Sequence, residues 1–266
     1  ISDTPKYELF TASKYLAYKF CPIYYNLTYE YSYQKLIKLL NQKYEYDDFS
    51  KEDEIEINND ALRVGVVCHE ILAEKVNINC VEEIIRRKVS KLLLSYTDSE
   101  RIIDKVKLLL IPFLKSAQYS EINDYAKFYN EFEINKIVEN YYFTGIIDRL
   151  IVKDDKIIIV DYKTNNVNLQ NIDSKIEYYT PQLKFYAYLA GSYFGWEKDI
   201  YIKLLFLAIP DYLHYIKVER KEIEGLVEEL KQIINNIRGN HYISNTKNCV
   251  LCMYNNICKE SILNKR

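Results

Sequence analysis

Two apolar, β-branched runs separated by a short polar break dominate the hydrophobic pattern: residues 142–152 and 157–163, with Lys153-Asp154-Asp155-Lys156 between them. The pattern predicts a β-hairpin. With Asp154-Asp155 as a two-residue turn, facing residues have numbers that sum to 309. That register sets Asp148 opposite Asp161, with Lys163 on the same face two residues later. Bare like charges directly opposite one another are destabilising, so the arrangement calls for a cation between them. Two convergent carboxylates beside a lysine make a hard-oxygen site for Mg²⁺ or Mn²⁺ next to a point charge suited to phosphate. Asp-Asp lacks the glycine that primed turns favour, and a slip of one residue would move one carboxylate to the other face. The alternative is a solvated edge hairpin with incidental charges.

The rest of the pattern is read around that hairpin. Thr11 or Ser13 is a candidate N-cap for an aromatic-rich segment over 10–35 containing Tyr15, Tyr18, Phe20, Tyr24 and Tyr25. Pro22 suits the first turn of a second helix. Core packing is the leading reading of these rings, with base stacking as the lesser one. Residues 45–60 carry eight acids against Lys51 and read as a solvated loop. Residues 61–76 read as a helix with Gly65 and His69 on one face, where the glycine would allow close approach to the histidine. Cys68 beside it reads as a small buried hydrophobe.

Residues 81–119 have helical spacing and read as scaffold or lid. Residues 128–138 alternate as a strand, with Glu131 and Glu133 to one side; either is a candidate further acid. Thr180-Pro181 reads as the start of a helix reaching residue 194, with Gln182 and Tyr186 on one face. Strands follow at 200–209 and 214–218, then an amphipathic helix over 219–237 that Gly239 would stop.

Length and composition narrow the picture. The chain has 266 residues, 48% hydrophobic and 28% charged, with a net charge of −2. A globular domain follows, and any nucleic-acid contact must come from a local groove, a metal or a partner. No apolar run is long enough to span a membrane and no signal-peptide pattern occurs, so the expected setting is the cytoplasm. The first residue, Ile1, suggests a domain taken from a longer chain. Of six cysteines, Cys249-x2-Cys252-x5-Cys258 has metal spacing. A closed site needs a fourth ligand, and Cys21 in its Cys-Pro context is the best candidate. Zinc and an iron–sulfur cluster both suit four cysteines. No phosphate-binding Gly-x4-Gly-Lys-Ser/Thr loop is present.

In order along the chain stand Gly65-x3-His69, Gly145-x2-Asp148-Arg149, Asp161-x-Lys163, Gln182-x3-Tyr186, and the frame of Cys21, Cys249, Cys252 and Cys258. From Ser13 to Cys258 this resembles the RecB-type branch of the PD-(D/E)XK nuclease superfamily, in particular its iron–sulfur subgroup of AddB-like and CRISPR-adaptation nucleases. The resemblance implies an α/β restriction-endonuclease-like core, a small mixed sheet flanked by helices, within a single domain over 1–266 carrying a helical insert at about 77–127. It implies that His69, Asp148, Asp161 and the Tyr162 carbonyl bind Mg²⁺ or Mn²⁺, that Lys163 positions the attacking water, and that Gln182 and Tyr186 shape the wall facing DNA. It further implies a 4Fe-4S cluster on the four cysteines, stapling the 10–35 and 240–260 segments. The implied activity is a deoxyribonuclease acting on DNA, single-stranded favoured, within a helicase–nuclease of end processing, repair and recombination. The alternatives are a stand-alone CRISPR-adaptation exonuclease and a catalytically silent DNA-binding module. Two positions depart from the common pattern: Ile147 rather than proline precedes Asp148, and Asp161 fills a slot often held by Glu.

Overall fold

The hairpin forms in the expected register. In the computed structural model, which describes residues 8–31, 52–74 and 76–264, strands β3 (Tyr141–Val152) and β4 (Lys156–Lys163) pair antiparallel from Arg149 opposite Val160 to Val152 opposite Ile157. Lys153 N donates to Lys156 O at 2.8 Å and closes the turn. Neither turn aspartate has a positive φ. Instead Lys198 Nζ donates to the carbonyls of Lys153 and Asp154 at 3.1 and 2.6 Å, holding a turn that lacks glycine.

Among the described residues the sheet has six strands. β2 (Phe128–Val138) runs antiparallel along one edge of β3. The other edge is shared: β1 (Glu8–Thr11) pairs parallel with residues 141–144, and β4 pairs with residues 149–152. Between them, Gly145 to Asp148 have no ladder partner on that side. β4 continues to β5 (Asp199–Phe206) in parallel, and β5 to β6 (His214–Val218) antiparallel.

Helices cover both faces because β4 is apolar on both. Ile157 and Ile159 pack with α1 (Ala12–Phe20), α7 (Ile172–Phe194) and α8 (Arg220–Arg238). Ile158, Val160 and Tyr162 pack with α3 (Glu52–Leu72), α4 (Val81–Ser90), α5 (Tyr96–Leu114) and α6 (Ala117–Asn123). The short α2 (Pro22–Tyr25) opens on Pro22, and Thr11 caps α1 by accepting from Lys14 N at 3.2 Å. Among the described residues, no helix is long and apolar enough to cross a membrane.

Several boundaries differ from the sequence expectation. The acidic run is not a loop from residue 52 onward, since α3 begins at Glu52; residues 45–51 lie outside the described residues, as do 32–35 of the N-terminal segment. Asp60 explains part of the difference. Its side chain is 3% exposed and paired with Arg101 and Lys105, both at 2.8 Å, and with Arg63 at 3.6 Å. The same helix ends at Leu72 rather than 76. α7 starts at Ile172 and runs through Pro181. Burial of Ile172 anchors the extra turns, and the Thr180 hydroxyl donates back to Ile176 O at 2.7 Å instead of capping a helix start. β5 stops at Phe206. Asn240, not Gly239, takes the left-handed conformation after α8, with φ +54°.

Asp60 ties α3 to α5. The Arg101 hydrogen bond holds its carboxyl below the usual value, against the opposing effect of burial. A depressed folded value means the stabilisation is complete above the unfolded carboxylate range and is lost as pH falls through the folded value. Asp60→Asn is expected to cost about 1–3 kcal/mol at pH 7. In thermal melts the gap between parent and variant should narrow towards pH 3; equal melting temperatures at pH 7 would contradict the role.

Candidate active site

The polar residues converge where the β3–β4 ladder ends. Beyond Arg149 and Val160 the next facing pair is Asp148 and Asp161. Here a side chain replaces the backbone bond: Asp148 Oδ2 accepts from Tyr162 N at 2.7 Å. Its other oxygen lies 3.3 Å from His69 Nδ1. His69 projects from α3, with its ring edge-on to the buried Tyr162 ring at 6.3 Å. Burial lowers the His69 pKa, but the hydrogen bond and charge of Asp148 outweigh it and the net shift is upward. Gly65, one turn earlier, admits Thr164: a Cβ there would lie 3.3 Å from its hydroxyl.

Asp161 is 2% exposed. The Lys163 ammonium stands 2.7 Å from its Oδ2, yet that oxygen has no aligned hydrogen-bond donor. Burial pushes the Asp161 carboxyl up to about 6, against the pull of Lys163 and with repulsion from Asp148. Burial acts the other way on Lys163, but Asp161 prevails and keeps it cationic. Lys163 Nζ is 3.4 Å from Gln182 Oε1, and Gln182 Nε2 donates to the Tyr186 hydroxyl at 2.9 Å. The Tyr186 ring lies against Gly145, where a Cβ would meet Cε1 at 2.5 Å. Gly145 thus seats the aromatic end of a polar chain running from β4 to α7.

A third carboxylate joins from the other edge of β3. Asn130 faces Arg149 and Phe132 faces Ile147, so Glu131 stands at the position opposite Asp148. Its φ of +47° is left-handed, a conformation costing about 1–2 kcal/mol for a residue with a Cβ. The ligand atoms of His69, Glu131 and Asp148 all lie within 4.8 Å of one another. Partial burial and then the Asp148 charge raise the Glu131 carboxyl, while His69 lowers it. Glu133 faces the exposed Ile146 instead. Of the two candidates, Glu131 is the one that stands with His69 and Asp148, and a signal for its placement existed. Glu139-Asn140 is a two-residue turn, so the arithmetic used for the first hairpin places 131 opposite 148.

Arg149 points away from this cluster, to the face of α3 and α6, and is 1% exposed. It donates to Asn130 Oδ1 and Asn123 Oδ1, each at 2.8 Å, and to Leu72 O at 3.2 Å. Asn130 in turn donates to Ala73 O at 2.6 Å. The pair therefore grips the C-terminal carbonyls of the helix that carries His69, from positions adjacent in sequence to Asp148 and Glu131. Sequence reasoning assigned neither residue this task.

The cysteines form a separate centre. Cys21, between α1 and α2, lines one small cavity with Cys249, Cys252 and Cys258. Asn245 N donates to Cys21 Sγ at 3.3 Å, and the Asn245 and Asn248 side chains donate to Phe20 O at 3.1 and 2.5 Å, joining the two ends of the described chain. Among the described residues, no three of these sulfurs lie mutually within 4.8 Å. Cys68 is fully buried elsewhere, its thiol pushed up to about 12 by burial, and Cys80 is exposed.

The family model for the PD-(D/E)XK nuclease superfamily matches residues 9–259. An ATP-dependent helicase/nuclease subunit of Clostridium acetobutylicum is 28% identical over 116 residues, 43% of this chain and 8% of the relative. The CRISPR-associated exonuclease Cas4 of Francisella tularensis subsp. novicida is 28% identical over 125 residues, 46% of this chain and 59% of the relative. The matches thus span less than two thirds of either relative. A crystal structure of a candidate exonuclease from Eubacterium rectale shares the fold: TM-score 0.54, 11% identity, 96% of this chain and 91% of that one.

Replacing Arg149 by methionine strands the Leu72 carbonyl and two asparagine side chains. Each unsatisfied buried group costs about 1–3 kcal/mol. Mn²⁺ titration followed by electron paramagnetic resonance should show weaker binding in Arg149→Met, and a smaller loss in Asn130→Ala. Unchanged affinity in both variants would show that the grip on α3 does not position the site.

Proposed function

The chain belongs to the PD-(D/E)XK nuclease superfamily, and we propose that it is a metal-dependent deoxyribonuclease that hydrolyses single-stranded DNA as a module of a helicase–nuclease. The observation that carries this reading is the meeting of Asp148, Asp161, Glu131, His69 and Lys163 at the end of one hairpin. Nucleases of this superfamily use divalent metals, and the donor set fits one. Carboxylates from three adjacent strands crowd together, two with raised affinity for protons, and a buried oxygen of Asp161 lacks an aligned donor. Hard oxygens with one imidazole suit Mg²⁺ or Mn²⁺. His69, Asp148 and Asp161 would hold the ion, with Glu131 as a further carboxylate and the Tyr162 carbonyl beside them. A bound divalent ion supplies Lewis acidity and a nucleophile at neutral pH.

The protein's own groups do the rest. Lys163, kept cationic by Asp161, orients the attacking water and stabilises charge developing on the phosphate. Gln182 and Tyr186 hold Lys163 from the α7 side and line the wall that meets DNA. Phosphate contact supplies affinity, so binding should weaken as salt rises. The match to a helicase/nuclease subunit supports a helicase-coupled module, for which we propose an end-processing role in repair and recombination. The match to Cas4 supports, as a second reading, a stand-alone CRISPR-adaptation exonuclease. A cytoplasmic setting, where cysteines stay reduced, fits this reading.

For the cysteines we favour a 4Fe-4S cluster. Four thiolates suit zinc as well as a cubane cluster; the likeness to the iron–sulfur branch is what favours the cluster. Its contribution here would be to staple Cys21 to the C-terminal turns.

Cleavage of end-labelled single-stranded DNA should require Mn²⁺ or Mg²⁺, stop with EDTA, and fall at least ~100-fold in Asp161→Ala or Lys163→Ala. Cleavage by Asp161→Ala at the parental rate would remove the site assignment. Anaerobically purified protein should be brown, with iron and sulfide in equal amounts; a colourless protein carrying stoichiometric zinc would replace the cluster by that metal.

A further inference from the structure

Two asparagines of the C-terminal segment converge on the backbone beside Cys21. α1 ends at Phe20, Cys21 is extended, and Pro22 opens α2. The extended residue breaks the helical register and Pro22 offers no N–H, so the Phe20 carbonyl is one of the orphans at the end of α1. A carbonyl has two lone pairs, and both find donors from the far end of the chain. Asn245 Nδ2 donates to Phe20 O at 3.1 Å and Asn248 Nδ2 at 2.5 Å. Asn245 also donates its backbone N–H to Cys21 Sγ at 3.3 Å.

These bonds fall beside the cysteines rather than anywhere along the two segments. Phe20 precedes Cys21 and Asn248 precedes Cys249, so one hydrogen bond ties the neighbours of two sulfur-bearing residues. Asn245 grips Cys21 twice, through the preceding carbonyl and through the sulfur. Both asparagines line the cavity that the four cysteines share. The C-terminal cysteines are set by local turns: Cys252 N donates to Cys249 O at 3.2 Å and Cys258 N to Tyr254 O at 2.9 Å. Cys21 lies at a helix break 228 residues before Cys249, outside those turns, and the asparagines supply the aim that the turns give the others. The ends have a second tie that leaves Cys21 alone, the Tyr254 hydroxyl 3.1 Å from Thr28 Oγ1.

We propose that Asn245 and Asn248 are positioning residues of the cysteine centre, fixing Cys21 as its fourth ligand for zinc or for iron and sulfide alike. The proposal rests on the four-cysteine reading and is independent of the nuclease.

The test is anaerobic alkylation of the full chain, as purified with its metal, by iodoacetamide. The rate at each cysteine is read by peptide mass spectrometry, beside iron, sulfide and zinc contents. Asn245→Asp and Asn248→Asp keep the side-chain shape and remove the donor. Each lost bond should raise the rate at Cys21 roughly 2- to 10-fold, through easier local opening. Cys249, Cys252 and Cys258 should stay near their parental rates. The double variant should raise Cys21 further, and Asn248→Ala, which adds no charge, should match Asn248→Asp. Cys68, fully buried in the core, reports global opening in the same spectra. A parental rate at Cys21 in the double variant overturns the proposal. An equal rise at all four cysteines, or a rise at Cys68, also overturns it, because the asparagines then hold the fold rather than one ligand. A rise in the aspartate variants without one in Asn248→Ala traces to the added charge and overturns it too. A parent that holds neither zinc nor iron loses the four-cysteine reading itself, and the positioning role with it.

Discussion

One hydrogen bond decides how the central hairpin ends. Tyr162 donates its backbone N–H to the Asp148 carboxylate, at the point where a further ladder bond would otherwise form. One Asp148 oxygen is thereby committed to the sheet and the other is left beside His69. The same strand position is flanked by Asp161 on one side and Glu131 on the other. Like charges so arranged repel, and that repulsion adds to the larger effect of burial in raising the carboxyls of Asp161 and Glu131. The fold sustains it because each charge carrier sits on a rigid element. β4 is buried on both faces, α3 is gripped through Arg149 and Asn130, and Lys163 is braced from α7 through Gln182.

The sheet topology makes room for this arrangement. β1 and β4 share an edge of β3 without meeting, and the unpaired stretch between them runs from Gly145 to Asp148. Gly145 gives its missing side chain's volume to Tyr186. A continuous ladder would have consumed the backbone groups and closed the space. The cysteine cavity, by contrast, lies at the joined ends of the described chain, beside α1 and α2.

Much of the core was legible because a two-residue turn leaves little freedom. Apolar β-branched runs marked the hairpin strands, and the two-residue turn gave the sum of 309 and with it the facing pair. The six-stranded mixed sheet flanked by helices agrees with the expected class. What escaped was long-range. Glu131 needed the second hairpin's register as well as its own strand. β1 is four residues long and pairs with a strand far along the chain. α3 and α7 start earlier than their local signals because tertiary contacts override them: Asp60 finds cations on α5, and Ile172 finds the core. Arg149 carries no local mark distinguishing a buried clamp from a residue facing DNA.

The most direct test of the metal site is an anomalous difference map from crystals soaked in Mn²⁺, recorded above the manganese edge. A peak is expected between His69, Asp148 and Asp161 with Glu131 within reach of it, absent from crystals of Asp148→Asn. A map with no density there at saturating Mn²⁺, or with the ion bound elsewhere on the chain, would contradict the site.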